Sequence, residues 1–103
     1  MIAHNVFFTL KDNRPEAIQA MVADCHTYLA KFPGVVFFAA GTTTDLDGES
    51  NGVVYDVALH VFFENREFLD AYMSAPRHIE FIEKHQDNWK DVQAYDSAVE
   101  VAK

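Results

Sequence analysis

The stretch Val53-Val-Tyr-Asp-Val-Ala-Leu-His-Val-Phe-Phe-Glu64 decides the fold. Its odd positions (Val53, Tyr55, Val57, Leu59, Val61, Phe63) are all apolar, and its even positions (Val54, Asp56, Ala58, His60, Phe62, Glu64) are mixed. A period of two with one wholly apolar face is a strand with one side in a core. Upstream, Ala3–Leu10 alternates in the same way. His4, Val6, Phe8 and Leu10 share one face, and Asn5, Phe7 and Thr9 share the other. Both faces carry aromatic or branched side chains, so this strand is covered on both sides. The apolar run Val35–Thr42 reads as a buried strand, and Asp91–Val101, with Tyr95, Val99 and Val101 on one face, as a last strand.

Helices lie between these strands. Ile18, Met21, Val22, Cys25, Tyr28, Leu29 and Phe32 recur at helical spacing, which predicts an amphipathic helix of about five turns. Asn13 with Glu16 is its expected capping box, Pro15 fits its first turn, and Phe32-Pro33-Gly34 stops it. Asn65 is the expected cap of a second helix bearing Phe68, Leu69, Tyr72 and Met73. Pro76 breaks that helix, since proline lacks the amide and disfavours a helical predecessor. The piece beyond carries His78, Ile82, His85 and Trp89 on one stripe. The polar stretch Thr42–Gly52 reads as a loop.

The order strand–helix–strand–strand–helix–strand is the ferredoxin-like arrangement: an α+β fold with one antiparallel sheet and both helices on one face. Two helices cannot cover every apolar stripe in this sequence. A bare apolar sheet face predicts pairing with a second copy, face to face, and a charge at Leu59 is expected to dissociate or unfold the protein. The 103 residues suffice for one domain, 1–103, and not for two.

Charge excludes several function classes. Eight Lys+Arg against sixteen Asp+Glu leave −8. Residues 1–44 are balanced, with Lys11, Arg14 and Lys31 against Asp12, Glu16 and Asp24, so the whole excess lies beyond them. With no basic stripe, neither nucleic acid nor an anionic membrane is an expected partner. Cys25 is the one cysteine, so an intrachain disulfide is impossible. No metal is expected, because no HxH, HxxxH or HExxH spacing occurs, and His60 and Asp56 lie about 13 Å apart along their strand. No phosphate-binding glycine loop occurs, so no cofactor is expected. The run Asp45-Leu-Asp-Gly-Glu49 resembles part of a calcium loop but lacks the remaining ligands, and reads as a solvated turn. Neither a signal peptide nor an apolar span is visible, so a cytoplasmic location is expected.

Several motifs together resemble the stress-responsive A/B barrel (Dabb) domain family across essentially the whole chain. They are the opening His4-Asn-Val-Phe-Phe-Thr-Leu-Lys11, the segment Tyr72-Met-Ser-Ala-Pro76-Arg-His78, then Phe81, Trp89 and Tyr95-Asp96-Ser97. The resemblance implies a dimeric α+β barrel of two ferredoxin-like units packed sheet to sheet. One plant branch of the family, the olivetolic acid cyclases, closes a poly-β-ketone chain by intramolecular aldol reaction, in a pocket between sheet and helices. The resemblance implies that His78 and Tyr72 are the catalytic pair, that Asp96 supports the histidine, and that His4 lines the pocket. Two further pocket histidines of that branch are replaced here, by Val57 and Ala75.

The residues bear on this reading in their own right. In regular helix, Tyr72 and His78 stand about 240° apart, on different faces. The break at Pro76 can bring them together. A histidine beside a tyrosine can take a proton from an acidic C–H while the phenol steadies the enolate oxygen. A carboxylate such as Asp96 can fix the imidazole tautomer. His4 shares its face with Val6 and Phe8, so these three are the expected substrate-binding wall on the first strand. The expected ligand is small and apolar or carbonyl-containing. Two readings stay open: a cofactor-free cyclase- or isomerase-like enzyme, and a non-catalytic, stress-associated dimer that serves as an interaction module.

Overall fold

In the computed structural model, which describes residues 1–44 and 55–102, the chain runs β1 (Ile2–Leu10), α1 (Pro15–Leu29), β2 (Val35–Thr42), β3 (Val57–Phe63), α2 (Arg66–Met73), α3 (Pro76–His85) and β4 (Trp89–Ala98). One 3-10 turn, Gln86–Asn88, joins α3 to β4. The strands form a single sheet in the order β2-β3-β1-β4, with every neighbouring pair antiparallel. This is the ferredoxin-like topology expected from the element order.

The core lies between the sheet and the helices. Val6, Phe8 and Leu10 of β1, and Val57, Leu59, Val61 and Phe63 of β3, meet Met21, Cys25 and Leu29 of α1, Leu69 and Tyr72 of α2, and Phe81 of α3. Leu59 thus belongs to the helix-covered core, and the expected effect of a charge there is a folding effect. The other sheet face carries Phe7, Phe37, Phe62 and Tyr95, with Phe7 against Tyr95 at 6.3 Å and Phe37 against Phe62 at 5.4 Å between ring centroids. Phe37 is 52% and Tyr95 58% exposed, so this face is aromatic and uncovered in one chain.

Element ends differ from the expected ones for local reasons. β3 starts at Val57, because Asp56 leaves the ladder: its carboxylate accepts the Leu10 amide at 2.7 Å and its own amide donates to the Phe8 carbonyl at 2.8 Å. Val53, Val54 and the Asp45–Glu49 run lie outside the described residues. The N-cap of α1 is Arg14 rather than Asn13 and makes no side-chain cap. Asp12 instead accepts from the Arg14 amide at 3.2 Å and from its guanidinium. Helix α1 also ends at Leu29, short of Phe32. Asn65 caps α2 as expected, accepting the Phe68 amide at 3.1 Å. Gly34 has φ 83°, and a Cβ there would sit 2.1 Å from the Phe68 ring, so glycine is required at that turn.

The last strand begins two residues early. Asn88 accepts the Lys11 amide on its carbonyl (2.8 Å) and the Asp12 amide on Oδ1 (2.7 Å), and its Nδ2 donates to the Asp12 carbonyl. These bonds pull the chain out of the helical stripe, so Trp89 pairs with Leu10 in the sheet.

Candidate functional site

The proline break does what the spacing required. Helix α2 ends at Met73 and α3 starts at Pro76, and the change of axis brings the Tyr72 and His78 rings to 4.7 Å, edge to face. Tyr72 is 1% exposed, held at 5.0 Å by both Phe32 and Phe63. His4 reaches the same phenol ring from β1, at 5.9 Å.

Asp96 stands elsewhere than expected. It lies directly opposite His4 in the β1–β4 register, and its Oδ1 is 2.6 Å from His4 Nδ1. Cross-strand pairing puts these side chains on one face at the closest spacing a sheet offers, so the carboxylate serves His4 rather than His78. The order of contact is therefore Asp96, His4, Tyr72, His78. Asp96 sits on the edge strand with its side chain 35% exposed, whereas that of His4 is 5% exposed.

Two polar atoms of this group are buried without a partner: Tyr72 Oη and His78 Nδ1. Burial lowers the His78 pKa, and the neighbouring His4 lowers it further, against an opposing hydrogen bond with the Met73 backbone. Imidazole is thus the neutral form at pH 7. Burial also pushes the Tyr72 phenol far above its ordinary range, so it stays a protonated donor.

These side chains border a cavity of about 150 Å³ between sheet and helices. His4, Val6 and Phe8 line it from β1, Tyr72 and His78 from the broken helix, and Phe81 and Trp89 from beyond. Val92 and Ala94 of β4 border it too, whereas Asp96 stands behind His4. Trp89 Nε1 is a third buried polar atom without a partner. The sequence reading missed the place of Trp89 because it put this residue on a helical stripe. Ala94, small and on the same strand face as Asp96, was the legible sign of open space there.

The remaining candidates have other roles. His60 lies on the uncovered sheet face, with Nδ1 2.8 Å from Asn5 Oδ1. His85 is half-buried and fastens α3 to α1, its Nε2 2.7 Å from Asp24 Oδ2. Cys25 is fully buried, and burial pushes its thiol up to about 12, which makes it an inert packing group. Among the described residues, no group of three or more His, Cys, Asp or Glu could hold a metal ion, and no helix is long and apolar enough to cross a membrane.

The fold recurs in solved structures. A dimeric ferredoxin-like protein of unknown function from Thermobifida fusca matches with a TM-score of 0.81 at 21% identity, over 95% of this chain and 90% of that one. A Dabb family protein from Mesorhizobium loti matches at 0.80 and 20%, over 97% of each chain. A hydroxynitrile lyase from Passiflora edulis matches at 0.75 and 15%, over 99% of this chain and 95% of that one. No curated protein matches the sequence. The family model for the stress responsive A/B barrel domain matches residues 2–99, which take in every strand and helix described above, and the chain belongs to that family.

Proposed function

We propose that this protein binds a small, largely apolar ligand bearing a carbonyl or hydroxyl group in the cavity between sheet and helices, and that it moves a proton on that ligand without a cofactor. One observation carries the proposal: Tyr72 Oη and His78 Nδ1 are both buried and unpartnered beside one apolar cavity. A buried polar group without a partner costs about 1–3 kcal/mol. Two such groups side by side suit a ligand that pairs with both.

The chemistry follows from the protonation states. On this reading neutral His78 presents a lone pair on its unpartnered Nδ1. A C–H next to a carbonyl gives its proton to Nδ1, the C–H electron pair becomes the enolate, and the Tyr72 hydroxyl hydrogen-bonds the enolate oxygen. Attack of the enolate carbon on a second carbonyl forms the ring bond, and the resulting alkoxide takes the proton back from the imidazolium. That is cyclase chemistry; return of the proton to another carbon is isomerase chemistry. His4, oriented by Asp96, borders the same cavity.

Proton exchange tests this directly. In D2O, an enolisable ring ketone should lose its α-proton NMR signals faster with the protein than with His78→Gln. Equal rates would leave a binding role alone.

The uncovered aromatic face favours a second element of function, a homodimer paired sheet to sheet. Similar structures are described as dimeric. If the cavity takes no ligand, this face supports the interaction-module reading.

A further inference from the structure

The uncovered sheet face has a titratable group at its middle. His60 is the central residue of the seven in β3. It pairs with Ala39 of β2 on one side and Asn5 of β1 on the other, and Asn5 pairs in turn with Tyr95 of β4. This row crosses the whole sheet. The His60 ring lies 6.1 Å from that of Phe7, and its Nδ1 is 2.8 Å from Asn5 Oδ1. An amide oxygen only accepts, so Nδ1 carries the proton, and Nε2 is a lone pair in the neutral ring and a second N–H in the cation.

Charged groups stand away from this row. Lys11, Asp56, Lys90 and Asp91 lie where β1 ends and β3 and β4 begin, and Glu64 lies where β3 ends. The Asp56 carboxylate is turned to the Leu10 amide, and Asp96 is bonded to His4 on the helix side. The strand neighbours of His60, Asn5 and Ala39, are uncharged. Tyr95 and Tyr55, the latter 5.0 Å from Phe7, are the phenols nearby, and phenols titrate far above the histidine range.

On the reading that this face pairs with a second copy, we infer that His60 makes the pairing pH-dependent: the dimer holds the neutral imidazole, and protonation of His60 separates the copies. Two sheets packed about a two-fold axis lay the middle of one face on the middle of the other. There the imidazolium loses its water among aromatic side chains, and two like charges approach each other. Both effects disfavour the cation. Below about pH 6.5, the ordinary histidine value, a separated chain binds a proton that the dimer refuses, so Kd rises as pH falls. Each refused proton is worth up to about tenfold in Kd per pH unit, and two per dimer up to about a hundredfold.

Sedimentation equilibrium between pH 7.5 and 5.5 tests this. The wild-type Kd should rise at least about tenfold, and His60→Gln should flatten that dependence. A measurement on the wild type alone guards against a variant that does not fold: the His60 imidazole C–H resonance should titrate at lower pH in concentrated, dimeric protein than in dilute, monomeric protein. A Kd that ignores pH, an equal slope in the variant, or one titration midpoint at both concentrations overturns the inference and leaves the dimer standing. So does dissociation that coincides with unfolding by circular dichroism, or a dimer that tightens in acid, as an imidazolium facing a carboxylate of the second copy would make it. A wild type that is monomeric at neutral pH and millimolar concentration refutes the dimer reading and this inference with it.

Discussion

Tyr72→Phe should make the protein more stable and less active. The substitution keeps the ring and its contacts with Phe32, Phe63 and His78, and removes the hydroxyl oxygen, which has no partner. A buried hydroxyl in that state costs about 1–3 kcal/mol, so the gain on deletion should be about 1–2 kcal/mol. For a domain near this size, each kcal/mol moves Tm by about 4–8 °C, so a rise of roughly 5–10 °C is expected. The assay is urea unfolding at fixed protein concentration: the midpoint should rise with m unchanged. In parallel, α-proton exchange should fall. Stability given up for a group that serves the ligand is the usual mark of a functional site. Loss of stability by 1 kcal/mol or more would mean that the hydroxyl holds the fold together, and would refute the reasoning.

The other predictions concern different parts of the molecule. Phe37→Glu should convert a dimer to a folded monomer, seen by light scattering as a fall to about 11.7 kDa; a wild type that already scatters as a monomer would remove the premise. Leu59→Ala should lower folding stability by about 2–5 kcal/mol by opening a cavity in the helix-side core. Asp56→Ala should cost about 1–3 kcal/mol, because it strands the buried Leu10 amide, and urea denaturation reads the loss. The lowered pKa of His78 sets a pH dependence. Below the ordinary histidine value near 6.5 the unfolded chain binds a proton that the folded chain refuses, so stability should fall as pH drops from about 6.5 towards the lowered value. His78→Phe should flatten that slope, and an unchanged slope would contradict it.

The fold was legible because the two central strands, β1 and β3, declared their own period. The alternation through Val57–Phe63 and Ile2–Leu10 survives in the sheet residue for residue, and Pro76 with Asn65 marks the helix ends that the backbone adopts. What failed were boundaries fixed by distant partners. Asp56 leaves the β3 ladder for the Leu10 amide, and Asn88 turns the chain into β4 by bonding Lys11 and Asp12. Both contacts join residues far apart in sequence, so no window of local periodicity contains them.

The cluster around Tyr72 was legible in its members and not in its wiring. The sequence pointed to Tyr72, His78, His4 and Asp96, but which histidine Asp96 serves depends on the register between β1 and β4, and alternation cannot fix register. A slip of two residues would have kept every side chain on its face and moved the carboxylate off His4. The register found leaves His78 Nδ1 with no carboxylate of its own. That has a chemical consequence: an imidazole backed by Asp96 would be held as imidazolium more easily, whereas an unbacked, buried one resists protonation and keeps its lone pair at neutral pH. The pairing that the sequence could not resolve therefore decides which histidine would serve as the base in the proposed proton transfer.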